Sequence, residues 1–406
     1  MKRLLWIGCL SYFLIGLAHV VLGSVLPVLL EHYGREYSEG GTLIFTQFAG
    51  FLAGVLVSPL LNKRFGKRGG LLIAIALLCA AELAYMMLPP WGWLYPIAVC
   101  AGFGFGMIEA VIGTIIIAAI THKTAVAMSR LEVLFGIGAM VMPLIASGLI
   151  AQGWWRFSFL VISLFALVTF LFWSNSSFGP VDEVLKAKKP EAKVSGAEAA
   201  ASRKPFPYPG KALGILLMFM LFFFIYVGTE MSLANFMPAI LIEKFGMKEA
   251  GAALSVTCFW IAMSVGRIFA GVIAERIHYR VYVLLSCAVT LILLAIFPMT
   301  ASIGSAFVVI LLLGLFMSGI FSIALVFASK MLAGSEESTP SILIASGGVG
   351  GAILPLIIGW SMDHLKVNQT AWMLALFTLF MVGLSFAAFW IQHKQRAAEK
   401  QLTTES

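Results

Sequence analysis

Residues 93–120 read WLYPIAVCAGFGFGMIEAVIGTIIIAAI, an apolar run long enough to cross a membrane as a helix. Glu109 lies near its middle and is the only charged residue in the run. Placing an ionised carboxylate at mid-depth in a bilayer costs about 2.5–3.5 kcal/mol on insertion scales. The Glu109 side chain is therefore expected to face a protein interior or a water-filled cavity. We interpret it as part of a functional site inside the membrane.

Similar runs recur along the whole chain. The 406 residues are 61% hydrophobic and 11% charged, against roughly 45–50% and 25% in soluble domains. This composition predicts an all-α membrane protein with twelve transmembrane helices arranged as two six-helix bundles. The expected spans are about 4–30, 41–61, 71–88, 93–120, 131–152, 156–173, 212–242, 251–274, 281–299, 303–329, 340–361 and 370–391.

The basic residues predict the orientation in the membrane. With a cytoplasmic N-terminus, most Lys and Arg fall in cytoplasmic loops, and the outer loops hold Arg35, Lys244, Lys248 and Lys366, with Arg156 and Arg267 assigned to neither side. This asymmetry is the positive-inside pattern. It predicts a multi-pass protein of the cell inner membrane with both termini cytoplasmic. The net charge of +8 then reflects topology and attraction to anionic lipid, and is no argument for nucleic acid.

A polar stretch divides the chain into two halves. Residues 186–204 are rich in Lys, Glu, Ala and Ser and cannot bury an apolar face. We predict an N-terminal bundle at 1–174, a cytoplasmic linker at 175–210, a C-terminal bundle at 211–393 and a cytoplasmic tail at 394–406.

The halves resemble each other weakly. His19 and Pro27 in the first half correspond to Glu230 and Pro238 in the second, with the same spacing. Asn62-Lys63 and Glu275-Arg276 correspond at nearly the same offset, as do Gly138-Ala139 and Gly351-Ala352. A duplicated transporter typically binds its substrate near mid-membrane between the repeats.

Several segments resemble one known family. They are Gly-Leu-Ala-His (16–19), Leu-Glu-Val-Leu-Phe-Gly-Ile-Gly-Ala (131–139), Gly-Thr-Glu-Met-Ser-Leu-Ala-Asn-Phe-Met-Pro (228–238), Phe-Trp-Ile-Ala-Met-Ser-Val-Gly-Arg-Ile (259–268) and Ile-Ala-Ser-Gly-Gly-Val-Gly-Gly-Ala-Ile (344–353). With the basic loop after the second span, they resemble the bacterial glucose/mannose–proton symporters, in the fucose–proton symporter branch of the major facilitator superfamily. The superfamily's loop motif usually has Asp where this chain has Asn62. The Gly-Pro-x-x-Gly-Gly motif typical of its drug–proton antiporters is absent from residues 136–148.

Glu109 has two interpretations. It shares a helical face with Gly102, Gly106 and Gly113, and small residues on one face let helices approach closely. The structural interpretation is therefore a helix-packing face with a neutral, hydrogen-bonded Glu109. The functional one is a carboxyl group that binds a proton on one side of the membrane and releases it on the other, and the resemblance implies this role for an acid in the fourth span.

His19, Glu230 and Asn235 are candidate substrate ligands. An imidazole suits either a proton relay or a sugar hydroxyl, so His19 is a candidate for both roles. Carboxylate and amide groups can each hold sugar hydroxyls. The alternative for each is a polar bond between helices that never meets substrate.

An amide and an indole complete the predicted sugar site. Gln47 would add hydrogen bonds and Trp260 a stacking face, although either can also serve in packing. Glu82, near the outer end of the third span, is expected to snorkel or to bond to a neighbouring helix.

A gate is predicted from the remaining charged residues. Ser129-Arg-Leu-Glu132 fits a capping box at the start of the fifth span, so Glu132 is either a local cap or a gating residue. Cytoplasmic salt bridges that close the inner side are expected from Lys63, Arg64, Arg267, Glu275 and Arg276.

These residues predict a secondary active transporter rather than an enzyme. We expect proton-coupled uptake of a neutral hexose by a monomer in the bilayer, with no cofactor and no metal. Mid-depth Glu109, His19 and Glu230 suit a polar neutral substrate plus H⁺, and no catalytic triad or nucleotide motif is present. The alternative is proton-driven efflux of drugs or metabolites, which would use the same carboxylates in exchange.

Overall fold

The computed structural model describes residues 2–119, 124–178, 211–332 and 339–405, and their secondary structure is helical. The helices are α1 Lys2–Tyr33, α2 Tyr37–Met86, α3 Trp91–Ala119, α4 Thr124–Ala151, α5 Phe157–Asn175, α6 Lys211–Phe245, α7 Glu249–Ile277, α8 Tyr279–Ile296, α9 Ile303–Met317, α10 Ile320–Met331, α11 Thr339–His364 and α12 Val367–Glu405, with a 3₁₀ turn at Phe297–Met299.

Helix α2 contains two of the predicted spans. Its 50 residues would form a straight helix of about 75 Å, far longer than the hydrocarbon layer of about 30 Å. Gly66 breaks it with φ 75° and ψ 162°. Among the described residues, 11 continuous segments are long and apolar enough to cross a membrane. The break at Gly66 divides one of them, which gives the twelve predicted spans.

The described helices pack into two units. The first comprises residues 1–192, 232–261 and 355–365, and the second comprises 193–231, 262–354 and 366–406. The first unit therefore contains α1–α5 together with parts of α6, α7 and α11. The division into bundles at 1–174 and 211–393 stays a prediction.

Two predicted boundaries fall at the edges of the described residues. Most of the expected linker, residues 179–210, lies outside them, and α5 ends at Asn175. At the other end, α12 continues as a helix through the expected tail to Glu405.

Close backbone contacts hold the first unit together. A Cβ added at Gly102 in α3 would lie 1.8 Å from the Gln47 carbonyl oxygen in α2, and one at Gly106 would lie 2.4 Å from that of Phe51. A Cβ at Gly16 in α1 would lie 2.1 Å from the Phe135 carbonyl oxygen in α4. Only glycine permits these approaches, because any side chain would separate the backbones.

Close backbone contacts at glycine also join helices in the second unit. A Cβ at Gly350 in α11 would lie 1.9 Å from the Phe224 carbonyl oxygen in α6. One at Gly228 in α6 would lie 2.7 Å from the Gly350 carbonyl oxygen. The Gly-Gly-Val-Gly-Gly run that the sequence shows at 347–351 is therefore a contact surface between α6 and α11.

We predict that Gly66→Ala destabilises the protein. The φ and ψ of Gly66 lie in a region that is essentially restricted to glycine, and forcing another residue there costs about 1–3 kcal/mol. Thermal unfolding of the purified protein should show a lower Tm. Gly271→Ala in α7 is the matched control, because a Cβ there meets nothing within 4 Å and alanine favours a helix. An unchanged Tm for Gly66→Ala would contradict the break.

Candidate functional site

His19 lies in a cage of aromatic rings within the first unit. Its imidazole makes edge contacts with Phe48 of α2 at 5.3 Å, Phe105 of α3 at 5.7 Å and Phe135 of α4 at 5.5 Å between ring centroids. The side chain is half-buried. Four helices therefore meet around one group that can both donate and accept hydrogen bonds.

Trp260 of α7 joins this cluster through Phe135. The two rings are 6.0 Å apart at 77°, so Phe135 contacts both His19 and Trp260. Trp260 is buried, with 1% of its surface exposed. Sequence analysis missed the three phenylalanines, because phenylalanine is common in apolar runs and its spacing carries no distinctive signal.

Gln47 and Asn235 lie at close helix contacts of the first unit. Gln47 is 3% exposed, and its backbone carbonyl oxygen makes the close contact with Gly102 of α3. No hydrogen bond from the Gln47 amide is present among the described residues. Asn235 of α6 is also 3% exposed, and a Cβ at Gly23 of α1 would lie 2.6 Å from its Oδ1. The structure thus brings four of the five predicted substrate residues, His19, Gln47, Asn235 and Trp260, into one unit.

Glu230 lies in the second unit and pairs with Arg267. The Arg267 Nη2 is 3.9 Å from the Glu230 carboxylate, which is 6% exposed. The same Nη2 also approaches the Met263 sulfur at 3.4 Å. Arg267 was expected in a cytoplasmic salt bridge, but the structure places it against a buried acid of the neighbouring helix. The long Arg side chain spans that gap, which spacing along α7 alone does not reveal.

Glu109 is half-buried in α3. The Tyr12 hydroxyl of α1 donates to its backbone oxygen at 3.5 Å. The carboxyl groups of Glu109 and Glu132 are close enough to interact electrostatically, whereas no ion pair or hydrogen bond of the Glu109 carboxyl occurs in the part of the chain that the structure describes. Gly102 and Gly106 do form a packing face, as the structural interpretation expected. The Glu109 carboxyl on the same helix makes no described hydrogen bond or ion pair.

The capping box predicted for Ser129 and Glu132 is wrong. Helix α4 begins at Thr124, so both residues lie inside the helix rather than at its start. The segment Ala125-Val-Ala-Met128 contains no Pro or Gly, and its alanines and Met128 favour a helix, which extends it towards the N-terminus. Glu132 is exposed, and its gating role stays a prediction.

The other predicted gating residues are at the surface. Lys63, Arg64, Glu275 and Arg276 are exposed, and they form no ion pair with any described residue. Arg64 lies over the Phe65 ring at 5.5 Å. Among the described residues, their expected salt bridges are therefore not formed.

Glu82 was expected to snorkel or to bond to a neighbouring helix, and both expectations are wrong. The residue is 0% exposed, and neither carboxyl oxygen has a hydrogen-bond partner among the described residues. The Tyr85 hydroxyl one turn away is buried in the same way. Tertiary packing of α2 against α3 and α5 encloses this turn, and helix position alone does not predict that.

A further polar cluster joins helices from both predicted halves at the N-terminus of α2. Asp363 of α11 accepts hydrogen bonds from the backbone N–H of Tyr37 at 2.9 Å and of Ser38 at 2.6 Å. The Tyr37 hydroxyl donates to Glu243 of α6 at 2.9 Å. A carboxylate at a helix N-terminus satisfies free N–H groups and complements the helix dipole. Sequence analysis missed this Asp363 cluster, because a single acid at a helix end has many possible partners.

No group of three possible metal ligands is found among the described His, Cys, Asp and Glu residues. The five cysteines are free thiols. The residues around His19 offer aromatic contacts and hydrogen-bonding groups.

Comparison with known proteins is consistent with this architecture. The glucose/mannose transporter GlcP of Bacillus subtilis (strain 168) is 31% identical over 389 residues, which cover 93% of this chain and 92% of the relative. A solved D-xylose-proton symporter matches with a TM-score of 0.74 at 13% identity, over 95% of this chain and 97% of its own. A mutant of the nucleoside transporter NupG matches with a TM-score of 0.76 at 12% identity, over 96% and 99%.

The two structural likenesses show the fold, since their sequence identities are low. The family description "Major Facilitator Superfamily" matches residues 8–339 and 218–405. Together with the 31% identity over most of its length, this match shows that the chain belongs to the Major Facilitator Superfamily.

Proposed function

We propose that this protein takes up a neutral hexose together with a proton, by alternating access across the cell membrane. The observation that carries the proposal is that the unit containing Glu109 also contains half-buried His19 and the buried residues Gln47, Asn235 and Trp260. The resemblance to a glucose/mannose transporter and to the fold of a D-xylose-proton symporter supports it.

The donor set favours a neutral sugar. Two amides and an imidazole offer both donors and acceptors, which matches hydroxyl groups that also do both. Gln47 makes no described side-chain hydrogen bond, so its amide is available to a sugar hydroxyl. The indole of Trp260 offers an apolar face.

The charges of the described interior do not favour an anionic substrate. The guanidinium of Arg267 is balanced by Glu230, so its charge is already compensated. Removing Arg267 would leave the buried Glu230 carboxylate without this compensation. Glu230 lies in the second unit and stays a predicted sugar ligand, while Arg267 acts by holding its carboxylate in place.

Glu109 is the proposed proton carrier. Glu230 has a positive partner, whereas Glu109 has none among the described residues. Its charge can therefore be balanced by a proton or by water, and the carboxylate of Glu132 interacts with it electrostatically. Two carboxylates repel each other when both are ionised. His19 remains a candidate relay, since an imidazole can transfer protons near neutral pH.

Alternating access requires contacts that form on one side and break on the other. The Asp363 cluster, formed by Tyr37, Ser38, Glu243 and Asp363, is the proposed closure of the outer side. The exposed Lys63, Arg64, Glu132, Glu275 and Arg276 are proposed to form the inner closure in another conformation. In this proposal both termini lie in the cytoplasm, and the protein acts as a monomer.

We predict that Glu109→Gln abolishes uphill uptake while leaving sugar binding. Wild-type protein in proteoliposomes with an acidic exterior should concentrate radiolabelled glucose inside, by about tenfold per pH unit if one proton accompanies one sugar. The variant should equilibrate or exchange glucose without concentrating it, because glutamine cannot carry the proton. Glu31→Gln is the matched control, since Glu31 is exposed on α1.

Two results would contradict this assignment. Uphill uptake by Glu109→Gln at the wild-type level would show that another group carries the proton. No glucose movement by wild-type protein under any gradient would reject the sugar and favour the exporter.

We predict that neutralising Arg267 alone destabilises the protein more than neutralising the pair. Arg267→Gln leaves the buried Glu230 carboxylate without its partner, whereas the double variant Glu230→Gln, Arg267→Gln leaves no unpaired charge. The Tm of purified protein should fall in the single variant and recover in the double one. Arg35→Gln should change little, because its pairing with Glu39 is exposed. A double variant no more stable than Arg267→Gln would contradict the pairing.

A further inference from the structure

A polar groove opens in the second unit, far along the sequence from the sugar cluster. It lies where α7 ends, α8 begins and α10 ends, and α12 closes its side. Its volume is about 270 Å³, and its polar lining residues are Glu275, His278, Tyr279, Arg280, Lys330 and Gln392. Of its lining residues, only Glu275 has a part in the proposed function, in the inner closure.

Arg280 is the unexpected feature of this groove. Its Nε and Nη1 atoms are buried and have no hydrogen-bond partner, while the guanidinium lies 4.9 Å over the Phe389 ring. The aromatic contact holds the guanidinium in place, while its Nε and Nη1 groups stay unsatisfied. Buried unsatisfied donors are costly, and more so when they are charged. A guanidinium in this state presents the flat, two-pronged donor that binds phosphate or carboxylate oxygens.

A second cation reaches the same groove from another helix. The Lys330 ammonium of α10 lies 4.2 Å from the centre of the Tyr279 ring, on the same wall. His278 carries a positive φ of 72° and forms the sharp turn from α7 into α8, which brings Tyr279 and Arg280 to the groove. Glu275 also lines it and offsets part of the positive charge.

We propose that this groove binds a phosphate group. Two cations from different helices, one a planar donor and one a point charge, suit a tetrahedral anion with several acceptor oxygens better than a single planar carboxylate. The volume of the groove equals that of about nine water molecules in liquid water. This space accommodates a phosphate and a small substituent. The group can come from a soluble phosphate compound or from a lipid headgroup, because the groove lies at the helix ends where headgroups are found.

The test measures the thermal stability of the whole purified protein with added ligand. Inorganic phosphate is titrated in detergent at constant ionic strength, with chloride as the replacement anion. In a second arm, the protein is reconstituted in phosphatidylcholine vesicles with and without phosphatidic acid. A ligand that binds only the folded state raises Tm in a saturable way.

Variants separate the groove from general charge effects. Arg280→Gln and Lys330→Gln should each abolish the phosphate-dependent rise in Tm. Arg276→Gln should keep it, because Arg276 is exposed and outside the lining. Glu275→Gln should strengthen binding by removing the opposing carboxylate, so that half-saturation occurs at a lower phosphate concentration.

Each outcome decides the proposal. A rise with inorganic phosphate that needs Arg280 and Lys330 supports a soluble ligand. A rise only with phosphatidic acid, with the same dependence, supports a headgroup. No saturable rise in either arm, or an equal rise in Arg280→Gln, overturns the phosphate site, and neither result bears on the sugar uptake experiment.

Discussion

The cost of burying charge among apolar helices is the constraint on which the rest of this structure depends. Each buried ionisable group must be paired, neutralised or bonded, since water is not available to solvate it. Glu230 meets this condition through Arg267 at 3.9 Å. Glu109 and Glu82 have no such described partner, which makes them the groups whose protonation the fold leaves open. Both lie in the first unit with the proposed sugar ligands, but Glu82 is fully enclosed whereas Glu109 is only half-buried.

Helix packing and the proposed substrate site use the same residues. Gln47 lies where α3 approaches α2 at Gly102, and Asn235 lies where α6 approaches α1 at Gly23. A movement that separates α1 from α6 would therefore also separate Asn235 from His19. The Asp363 cluster joins α2 to α11 and α6 in the same unit. Under the proposed function, opening that cluster and releasing the sugar would be one event, which is the coupling that alternating access needs.

Much of the fold follows from the sequence, because spans of apolar residues dominate it. The predicted runs coincide with described helices, and the break in α2 falls at Gly66, between two predicted spans. The start of α4 at Thr124 was not predicted, since a capping motif competed with good helix-forming residues before it. Features that depend on contacts between distant helices were less accessible. The ring of phenylalanines around His19, the pairing of Arg267 with Glu230 and the binding of Asp363 to the start of α2 all arise from packing that no local pattern records.

The central claim is that sugar and proton move together through this protein. The most direct measurement records internal pH with a dye trapped in proteoliposomes, with no gradient imposed, after glucose is added outside. The account predicts that the lumen acidifies as glucose enters, and that sorbitol at the same concentration produces no change. Glucose entry without acidification, or with alkalinisation, would contradict proton symport.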